Sequence, residues 1–384
     1  MISANSSNRR SAVQPRATVL VTGGSGFLGK KLIKQLASCS EVAVIIALDI
    51  RPLPAGFCLD DTDGSTALRF VSADVTDKAQ LVPAFRNVDC VIHTAALIEL
   101  GLYPDVVRMN DVNILGTQNV IDACRECRVP NLIFTSTSEL GRCYKPVEGF
   151  TEADIDATEG SGKGEVDLLN GYATSKRLAE RSVLDANCSS FGGDNNNSRP
   201  LCTLIIRPVG IYGEGDLKFI PTFIRAGKRF FGLMPHLGSP DAQIQRVYVG
   251  NVAWAHVCAM RCLLDPSMRQ QISGQAYLVT DDTPLNSNFQ FVRPFLRAHG
   301  VRLLGVSVPL VLVFIFWWLL ELLAMAISPI VRVPLAFTKN ELYLACTTCY
   351  YDAGKIRSRL KYAPVYSPED SFARSLAYYS AMEI

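Results

Sequence analysis

Tyr172 and Lys176 form the residue pair with the most specific chemistry in this sequence. They lie four residues apart in YATSK, and this spacing places both side chains on one face of a helix. A phenol is a poor base at neutral pH, and lowering its pKa from about 10 by roughly three units requires about 4 kcal/mol. A nearby positive charge, such as the ammonium group of Lys176 or a positively charged ring bound beside it, can supply that free energy. The pair therefore predicts a tyrosine that acts as the acid/base.

Several hydroxyl groups follow a predicted strand in IFTSTSELG, residues 133–141. One of them can hydrogen-bond the same substrate oxygen and hold it in line for proton transfer. Small polar residues after a strand are otherwise typical of an ordinary loop. Together with the Tyr/Lys pair, the stretch predicts a catalytic hydroxyl.

A glycine-rich turn lies near the start of the sequence, in VLVTGGSGFLGKKLIKQL, residues 19–36. The glycines follow an apolar strand and precede a helical pattern, so backbone N–H groups and the helix N-terminus can approach a pyrophosphate. The alternative is a purely structural turn. The predicted cofactor-binding residues here are Gly23, Gly26, Phe27, Leu28 and Gly29.

Asp49 ends the next apolar strand, twenty residues after Gly29. A carboxylate at this place accepts hydrogen bonds from both ribose hydroxyls of NAD and repels a 2′-phosphate. Arg51 argues in the other direction, because a guanidinium can pair with the 2′-phosphate of NADP. We predict NAD as the cofactor.

Strand and helix patterns alternate along most of the chain. Continuous apolar strands are predicted at residues 18–22, 41–49, 69–72, 89–93, 131–136, 202–207 and 275–280, with helices at 27–38, 116–127 and 172–186. This alternation is typical of an α/β protein with a doubly wound parallel sheet, the Rossmann architecture. We expect a leader without regular structure at 1–17, a dinucleotide-binding domain at 18–213 and a smaller substrate lobe at 214–384, with some strands returning to the main sheet. A mitochondrial presequence is the alternative for the leader.

Composition excludes several classes of protein. With 38 basic and 36 acidic residues among 384, the chain shows no electrostatic footprint for nucleic acid. The N-terminus has no apolar core for a signal peptide, so we expect the twelve cysteines to be reduced thiols. The two CxxC pairs, at 124/127 and 346/349, are too far apart for a zinc ribbon, and no metal site is predicted.

Six motifs resemble the extended short-chain dehydrogenase/reductases in their order: TGGSGFLG, LDIRP, ADVTD, HTAA, YATSK and RPVGIYGEGD. VYVGNVAWAH and LVTDDTP are similar to the 3β-hydroxysteroid dehydrogenase/Δ5-4 isomerase branch, and the resemblance covers residues 18 to about 380. It implies that the catalytic hydroxyl is Thr137, where the family usually has Ser, with Ser136 and Ser138 as alternatives. It further implies cofactor contacts at Asp74, Val75, Ala95, Ala96 and Pro208.

The resemblance implies NAD-dependent oxidation of the 3β-hydroxyl of a steroid or sterol. Tyr172 takes the hydroxyl proton, Lys176 depresses its pKa and holds the nicotinamide ribose, and Thr137 positions the oxygen. Isomerisation from Δ5 to Δ4 needs a further acid/base, for which Glu139 is the candidate. The alternatives are a decarboxylating sterol 4-carboxylate 3-dehydrogenase and a non-catalytic NAD-binding protein. We expect His93, Trp254 and His256 to be structural.

Residues 303–331 are strongly apolar, with Glu321 as the only charge. The 29 residues exceed the roughly 18 that mark a membrane-spanning candidate but are too few for a two-way hairpin, and a buried helix is the alternative. The following residues 350–364 resemble the closing segment of the fold. We therefore predict monotopic insertion, with bends at Pro309 and Pro329 and Trp317 and Trp318 near the interface.

This geometry keeps both termini on one side of the membrane. The predicted location is the cytosolic face of the endoplasmic reticulum, with a mitochondrial membrane as the less favoured alternative. Predicted partners are the steroid or sterol and the lipid. The oligomeric state is left open, with a homo-oligomer as one alternative.

Overall fold

A seven-stranded parallel sheet forms the centre of the protein, in a computed structural model that describes residues 16–59, 66–158, 168–189, 200–333, 335 and 337–383. The strands in chain order are β1 (Ala17–Thr22), β2 (Val42–Asp49), β3 (Ala67–Ser72), β4 (Cys90–His93), β5 (Asn131–Thr135), β6 (Val147–Phe150), β7 (Cys202–Pro208), β8 (Gly210–Tyr212), β9 (Leu233–Leu237), β10 (Arg246–Tyr248), β11 (Gln275–Val279), β12 (Arg302–Val308) and β13 (Cys349–Tyr351). The central sheet has the order β11-β7-β5-β4-β1-β2-β3. The remaining strands form the parallel pairs β10-β8, β12-β9 and β13-β6.

The described residues form fourteen α-helices, and those next to the central sheet cover both of its faces. They are α1 (Phe27–Ala37), α2 (Lys78–Phe85), α3 (Val106–Asn110), α4 (Gly116–Cys127), α5 (Glu152–Ala157), α6 (Tyr172–Asp185), α7 (Phe219–Arg229), α8 (Val249–Leu264), α9 (Pro266–Ile272), α10 (Asn288–Ala298), α11 (Leu310–Ile327), α12 (Lys339–Cys346), α13 (Gly354–Arg359) and α14 (Pro368–Ser380). Val19 and Val21 of β1 pack with α1 and α8 on one face, whereas Leu20 packs with α2, α4 and α6 on the other. This alternation explains why the strand is apolar throughout.

The predicted doubly wound α/β fold is confirmed. Each predicted strand is present, and their ends differ by one or two residues from the predicted ones. The predicted leader lies outside the described residues except for positions 16 and 17. Ala17 already belongs to β1, and the Arg16 guanidinium donates to the Val42 carbonyl at 2.6 Å.

The structure divides the apolar residues 303–331 between two elements. Residues 302–308 form β12, which pairs in parallel with β9 and is not part of an apolar helix. Pro309 stands at the N-cap of α11, and Ser328 ends that helix before Pro329. The division follows from local chemistry, because Pro309 cannot continue the hydrogen bonding of β12 and is tolerated at a helix start.

One narrow face attaches α11 to the rest of the protein. Among its 18 residues, only Val313, Glu321 and Ala324 are buried. The Glu321 carboxylate accepts from Lys339 Nζ at 2.6 Å, and Trp317 Nε1 donates to the Phe337 carbonyl at 2.9 Å. Trp317 therefore binds the protein, whereas Trp318 is exposed. The exposed apolar side chains of α11 lie elsewhere on the helix: Val311, Leu312, Ile315, Phe316, Trp318, Leu319, Leu322, Leu323, Met325 and Ile327.

Candidate active site

The glycine turn brings its backbone into close contact with the end of β4. Gly23 has a φ of +69°, and a Cβ there would lie 2.8 Å from the Ala95 nitrogen. A Cβ on Gly29 would lie 2.1 Å from the Gly23 carbonyl oxygen, so α1 can approach the turn only with glycine at this position. The resulting space without side chains, at the N-terminus of α1, fits the pyrophosphate of a dinucleotide.

Asp49 is held beside this turn by backbone N–H groups. Its carboxylate accepts from the Ser25 nitrogen at 3.1 Å and from the Arg51 nitrogen at 3.0 Å. These bonds orient the carboxylate at the carboxyl end of β2, the place at which this fold receives a ribose. The Arg51 side chain is exposed.

The other predicted cofactor residues occupy different environments. Leu28 is buried in the core beneath α1, so its side chain packs against the sheet. The remaining positions are Phe27 and Asp74, which are half-buried, Val75 and Pro208, which are buried, Ala95, which lies against Gly23, and Ala96, which is exposed. All lie at or beyond the carboxyl ends of the central strands or at the start of α1, which is the edge where this fold binds ligands.

Tyr172 is the first residue of α6 and follows Gly171, whose φ is +99°. Its ring is buried beside Met109 and Leu168. Burial and the nearby Glu139 carboxylate raise the pKa of Tyr172 above its ordinary value. The predicted mechanism requires a lowered pKa, so this shift is in the opposite direction. The prediction missed it because the sequence does not show how deeply the phenol is buried.

Lys176 lies one turn further along α6 and is also buried. Its Nζ donates to the Thr135 carbonyl at 2.7 Å and lies 4.4 Å from the centroid of the Phe134 ring. Burial lowers the pKa of Lys176 to about 7. The site thus places a readily deprotonated lysine at the end of β5.

Thr137 follows β5 and caps the short 3₁₀ helix Ser138–Gly141. Its Oγ1 accepts from the Glu139 nitrogen at 3.2 Å, which leaves its hydroxyl proton available to another acceptor. The hydroxyls of Ser136 and Ser138 are buried and have no partner among the described residues. All three hydroxyls therefore have a proton available for a ligand, and Thr137 is retained as the candidate because the family motif places the catalytic hydroxyl there.

Asn113 supports the site, although the sequence interpretation did not single it out. It lies in a π-helical turn, Asp111–Leu115, between α3 and α4, and its Nδ2 donates to Ser175 Oγ at 3.0 Å and to the Leu97 carbonyl at 2.9 Å. Ser175 Oγ in turn donates to the Tyr172 carbonyl at 2.8 Å. Asn113 is thus linked through Ser175 to the backbone of Tyr172. The π-helical turn that holds Asn113 is a structural feature often found at functional sites.

A buried ion pair fixes α6 to the central sheet. Arg207 of β7 binds both carboxylate oxygens of Glu180, at 2.9 and 2.6 Å, and also Asp156 at 2.7 Å. Glu180 lies one turn after Lys176 on the same face of α6. Tyr172, Lys176 and Glu180 follow one another at intervals of four residues. This spacing could have identified Glu180 from the sequence.

The histidines expected to be structural have both ring nitrogens hydrogen-bonded. His93 contacts Thr22 Oγ1 at 2.6 Å and Thr117 Oγ1 at 3.1 Å, and burial lowers its pKa to about 3. His256 Nδ1 lies 2.8 Å from the Val252 carbonyl, and burial lowers the pKa of this ring to about 4. Trp254 is half-buried on α8, with the Arg261 guanidinium 5.0 Å from its ring centroid.

Comparison with known proteins agrees with these observations. The model of the 3-beta hydroxysteroid dehydrogenase/isomerase family matches residues 20–310. The chain belongs to this family. It is also 32% identical over 381 residues to 3 beta-hydroxysteroid dehydrogenase type 7 of Mus musculus, covering 97% of this chain and 98% of the mouse protein.

Solved structures with the same fold cover nearly the whole chain. MoeE5 in complex with UDP-glucose and NAD has a TM-score of 0.62 and 20% identity, over 94% of this chain and 98% of its own. DesIV, the dTDP-glucose 4,6-dehydratase of Streptomyces venezuelae with NAD and TYD bound, has a TM-score of 0.63 and 21% identity, over 94% and 96% of the two chains. At these identities the likeness shows the fold alone.

Proposed function

We propose that this protein oxidises the 3β-hydroxyl of a steroid or sterol to the 3-ketone with NAD. The observation that carries the proposal is on α6, where Tyr172 and Lys176 are both buried and Lys176 Nζ donates to the Thr135 carbonyl, two residues before Thr137. Family membership and the mouse relative support the substrate class. A non-catalytic NAD-binding protein would tolerate the loss of Tyr172 or Lys176, but this chain retains both residues.

NAD is the cofactor that best fits the residues present. Gly23 and Gly29 leave space for the pyrophosphate, and Asp49 is oriented to accept from ribose hydroxyls. When bound, the oxidised nicotinamide accepts the hydride that leaves the carbinol carbon.

The chain's own side chains manage the proton. Thr137 donates a hydrogen bond to the substrate oxygen and keeps its proton, and Tyr172 as phenolate takes the hydroxyl proton of the substrate. The proposed mechanism requires the charge of Lys176 to lower the pKa of Tyr172, against the burial and the Glu139 charge that raise it. Lys176, whose Nζ donates to the Thr135 carbonyl, would also hold the nicotinamide ribose.

Glu139 is the candidate acid/base for moving a Δ5 double bond to Δ4. Its carboxylate is close enough to Tyr172 for the charge to act on the phenol, and it lies 4.0 Å from Arg142 Nε. A 3-ketone makes the hydrogens at C4 acidic, so the carboxylate can take a proton from C4 and return one to C6 as the double bond moves. This role rests on the oxidation above.

A substrate screen tests the function. Purified protein with NAD is offered Δ5-3β-hydroxysteroids, saturated 3β-hydroxysterols and 4-carboxylated sterols, while NADH is followed at 340 nm and products by mass. We expect 3-ketones from neutral 3β-hydroxy substrates, with a conjugated Δ4-3-ketone if Glu139 acts. Turnover of the 4-carboxylated sterols alone, with loss of CO₂, would replace the proposal with the decarboxylating dehydrogenase.

We also propose that α11 inserts into one leaflet of a membrane, at the cytosolic face of the endoplasmic reticulum. It is the one helix, within the described ranges, long and apolar enough to cross a bilayer. β12 precedes it and pairs with β9, and α12 follows it, where the Leu344 carbonyl accepts from Arg142 at 3.0 Å. Both flanking elements therefore lie on the same body, which supports monotopic insertion over a single span. A sterol can then enter from the lipid.

A further inference from the structure

Two exposed phenylalanines lie in the turn between α7 and β9, residues 230–232, here called the α7–β9 turn. Phe230 is 60% exposed and Phe231 is 96% exposed. Phe231 has a φ of +56°, in the left-handed region that bulky side chains rarely adopt. Packing within the described part of the chain does not account for an aromatic ring held outward in this conformation.

Exposed apolar residues continue from this turn toward α11. Leu233 begins β9, and the Gly232 carbonyl accepts from the Arg302 nitrogen of β12 at 2.8 Å. Leu304 and Val306 on β12 are exposed, and both lie where the register of β12 against β9 shifts, between Leu303 and Ser307. β12 then leads through Pro309 into α11. The turn is therefore connected to the proposed anchor through a strand with exposed apolar residues.

The segments that build this surface carry only positive charge. Residues 217–240 contain four Lys or Arg and residues 283–320 contain three, and neither segment contains Asp or Glu, although the whole chain is nearly neutral. All seven of these basic residues are exposed: Lys218, Arg225, Lys228, Arg229, Arg293, Arg297 and Arg302. Cations near the C-termini of α7 and α10 also suit the helix dipoles, but that effect does not explain the exposed aromatic rings.

We propose that the α7–β9 turn is a second membrane contact, which inserts Phe230 and Phe231 at the headgroup level of an anionic phospholipid surface. Aromatic rings at the interface and basic side chains against phosphate groups are the chemistry that such a surface recognises. A second copy of this chain fits less well, because a two-fold contact would bring two basic surfaces together. The inference rests on the membrane association proposed for α11 and adds lipid specificity to it.

Binding to vesicles of defined composition tests the proposal. Purified protein is mixed with phosphatidylcholine vesicles, with or without phosphatidylserine, and bound protein is measured by sedimentation over a lipid titration. Phe230→Ser with Phe231→Ser should lower binding to both vesicles about tenfold, and Arg229→Gln with Arg302→Gln should lower it about tenfold only with phosphatidylserine. The matched controls, Phe70→Ser and Arg69→Gln on the edge strand β3, should bind as the unaltered protein does.

Separate outcomes identify which proposal fails. A variant with Leu312→Asp and Leu319→Asp on the exposed side of α11 tests the anchor alone. Loss of binding in that variant, with unaltered binding in the turn variants, overturns the second contact and leaves the anchor standing. Turn variants that change the oligomeric state and not vesicle binding indicate a second copy and also overturn it. Failure of the unaltered protein to bind either vesicle overturns both.

Discussion

At the scale of single residues, the pKa values of Tyr172 and Lys176 depart from their ordinary values in opposite directions. Burial raises the pKa of the phenol and lowers that of the ammonium to about 7, so both groups favour their neutral forms in the cofactor-free protein. Catalysis as proposed needs the charged forms. A positively charged ring bound nearby favours the phenolate, so we expect cofactor binding to prepare the base.

Tyr172→Phe tests the assignment of the acid/base. It removes the phenolic oxygen and keeps the buried ring, so turnover should fall by about 10² to 10⁴ while NADH binding stays nearly unchanged. NADH production and NADH binding are measured separately. Unaltered turnover in this variant would refute the role of Tyr172.

Asp49→Ala tests the cofactor preference. The backbone donors of Ser25 and Arg51 hold the carboxylate where a 2′-phosphate would meet a negative charge. Removal of the carboxylate should narrow or reverse the preference for NAD over NADP, because the repulsion is lost and the exposed Arg51 side chain can pair with the 2′-phosphate. The measurement is kcat/KM for both cofactors in both proteins, and a preference of the unaltered protein for NADP would contradict the proposal.

Lys176 should make stability depend on pH. Its pKa falls from 10.5 to about 7 on folding, so between these values the unfolded chain holds a proton that the folded chain lacks. The free energy of unfolding should therefore rise with pH from about 7 to 10.5, by at most about 1.4 kcal/mol per unit from this group. Urea unfolding of cofactor-free protein at several pH values, compared with Lys176→Met, measures it. Equal slopes in the two proteins would argue against a buried neutral lysine.

At the scale of elements, α6 is the part of the structure that the site depends on most. Asn113 and Ser175 connect its first turn to the π-helical turn, and the Glu180–Arg207 pair fixes its middle to β7. Loosening either contact should displace Tyr172 and Lys176 together.

Glu180→Gln tests this attachment. It leaves the buried Arg207 with one partly exposed partner, Asp156, and should lower the free energy of unfolding by about 3 kcal/mol. Asp156→Asn is the matched control and should lower it by less than about 1 kcal/mol, because that carboxylate is mostly exposed. Chemical denaturation compares the two variants. Similar losses in both would show that Glu180 has no special part in fixing α6.

At the scale of the whole molecule, α11 is tied to the protein at both ends. β12 pairs with β9 before it, and α12 after it accepts at the Leu344 carbonyl from Arg142 at 3.0 Å. The closing segment also returns to the body, where the Tyr362 hydroxyl donates to the Thr280 carbonyl at 3.0 Å. A helix that crossed the bilayer would have to separate these contacts.

Membrane fractionation and protease mapping test this topology. We expect the protein to stay with membranes after carbonate extraction, and a C-terminal tag in sealed microsomes to be cleaved by added protease. Both follow from one apolar helix inserted in a single leaflet. A protected tag would indicate a true span, and a fully soluble protein would exclude the anchor.

The sequence by itself determined the features that depend on residue type and short spacing. The glycine turn, the carboxylate at Asp49, the four-residue separation of Tyr172 and Lys176 and the parallel strands all follow from local backbone chemistry and periodicity. The tertiary structure decided what depends on distant neighbours. Burial reversed the expected pKa shift of Tyr172, pairing with β9 made a strand of the first apolar residues of 303–331, and closure of the fold brought Asn113 to Ser175. Burial and pairing arise from segments far apart in the chain, so no local pattern encodes them.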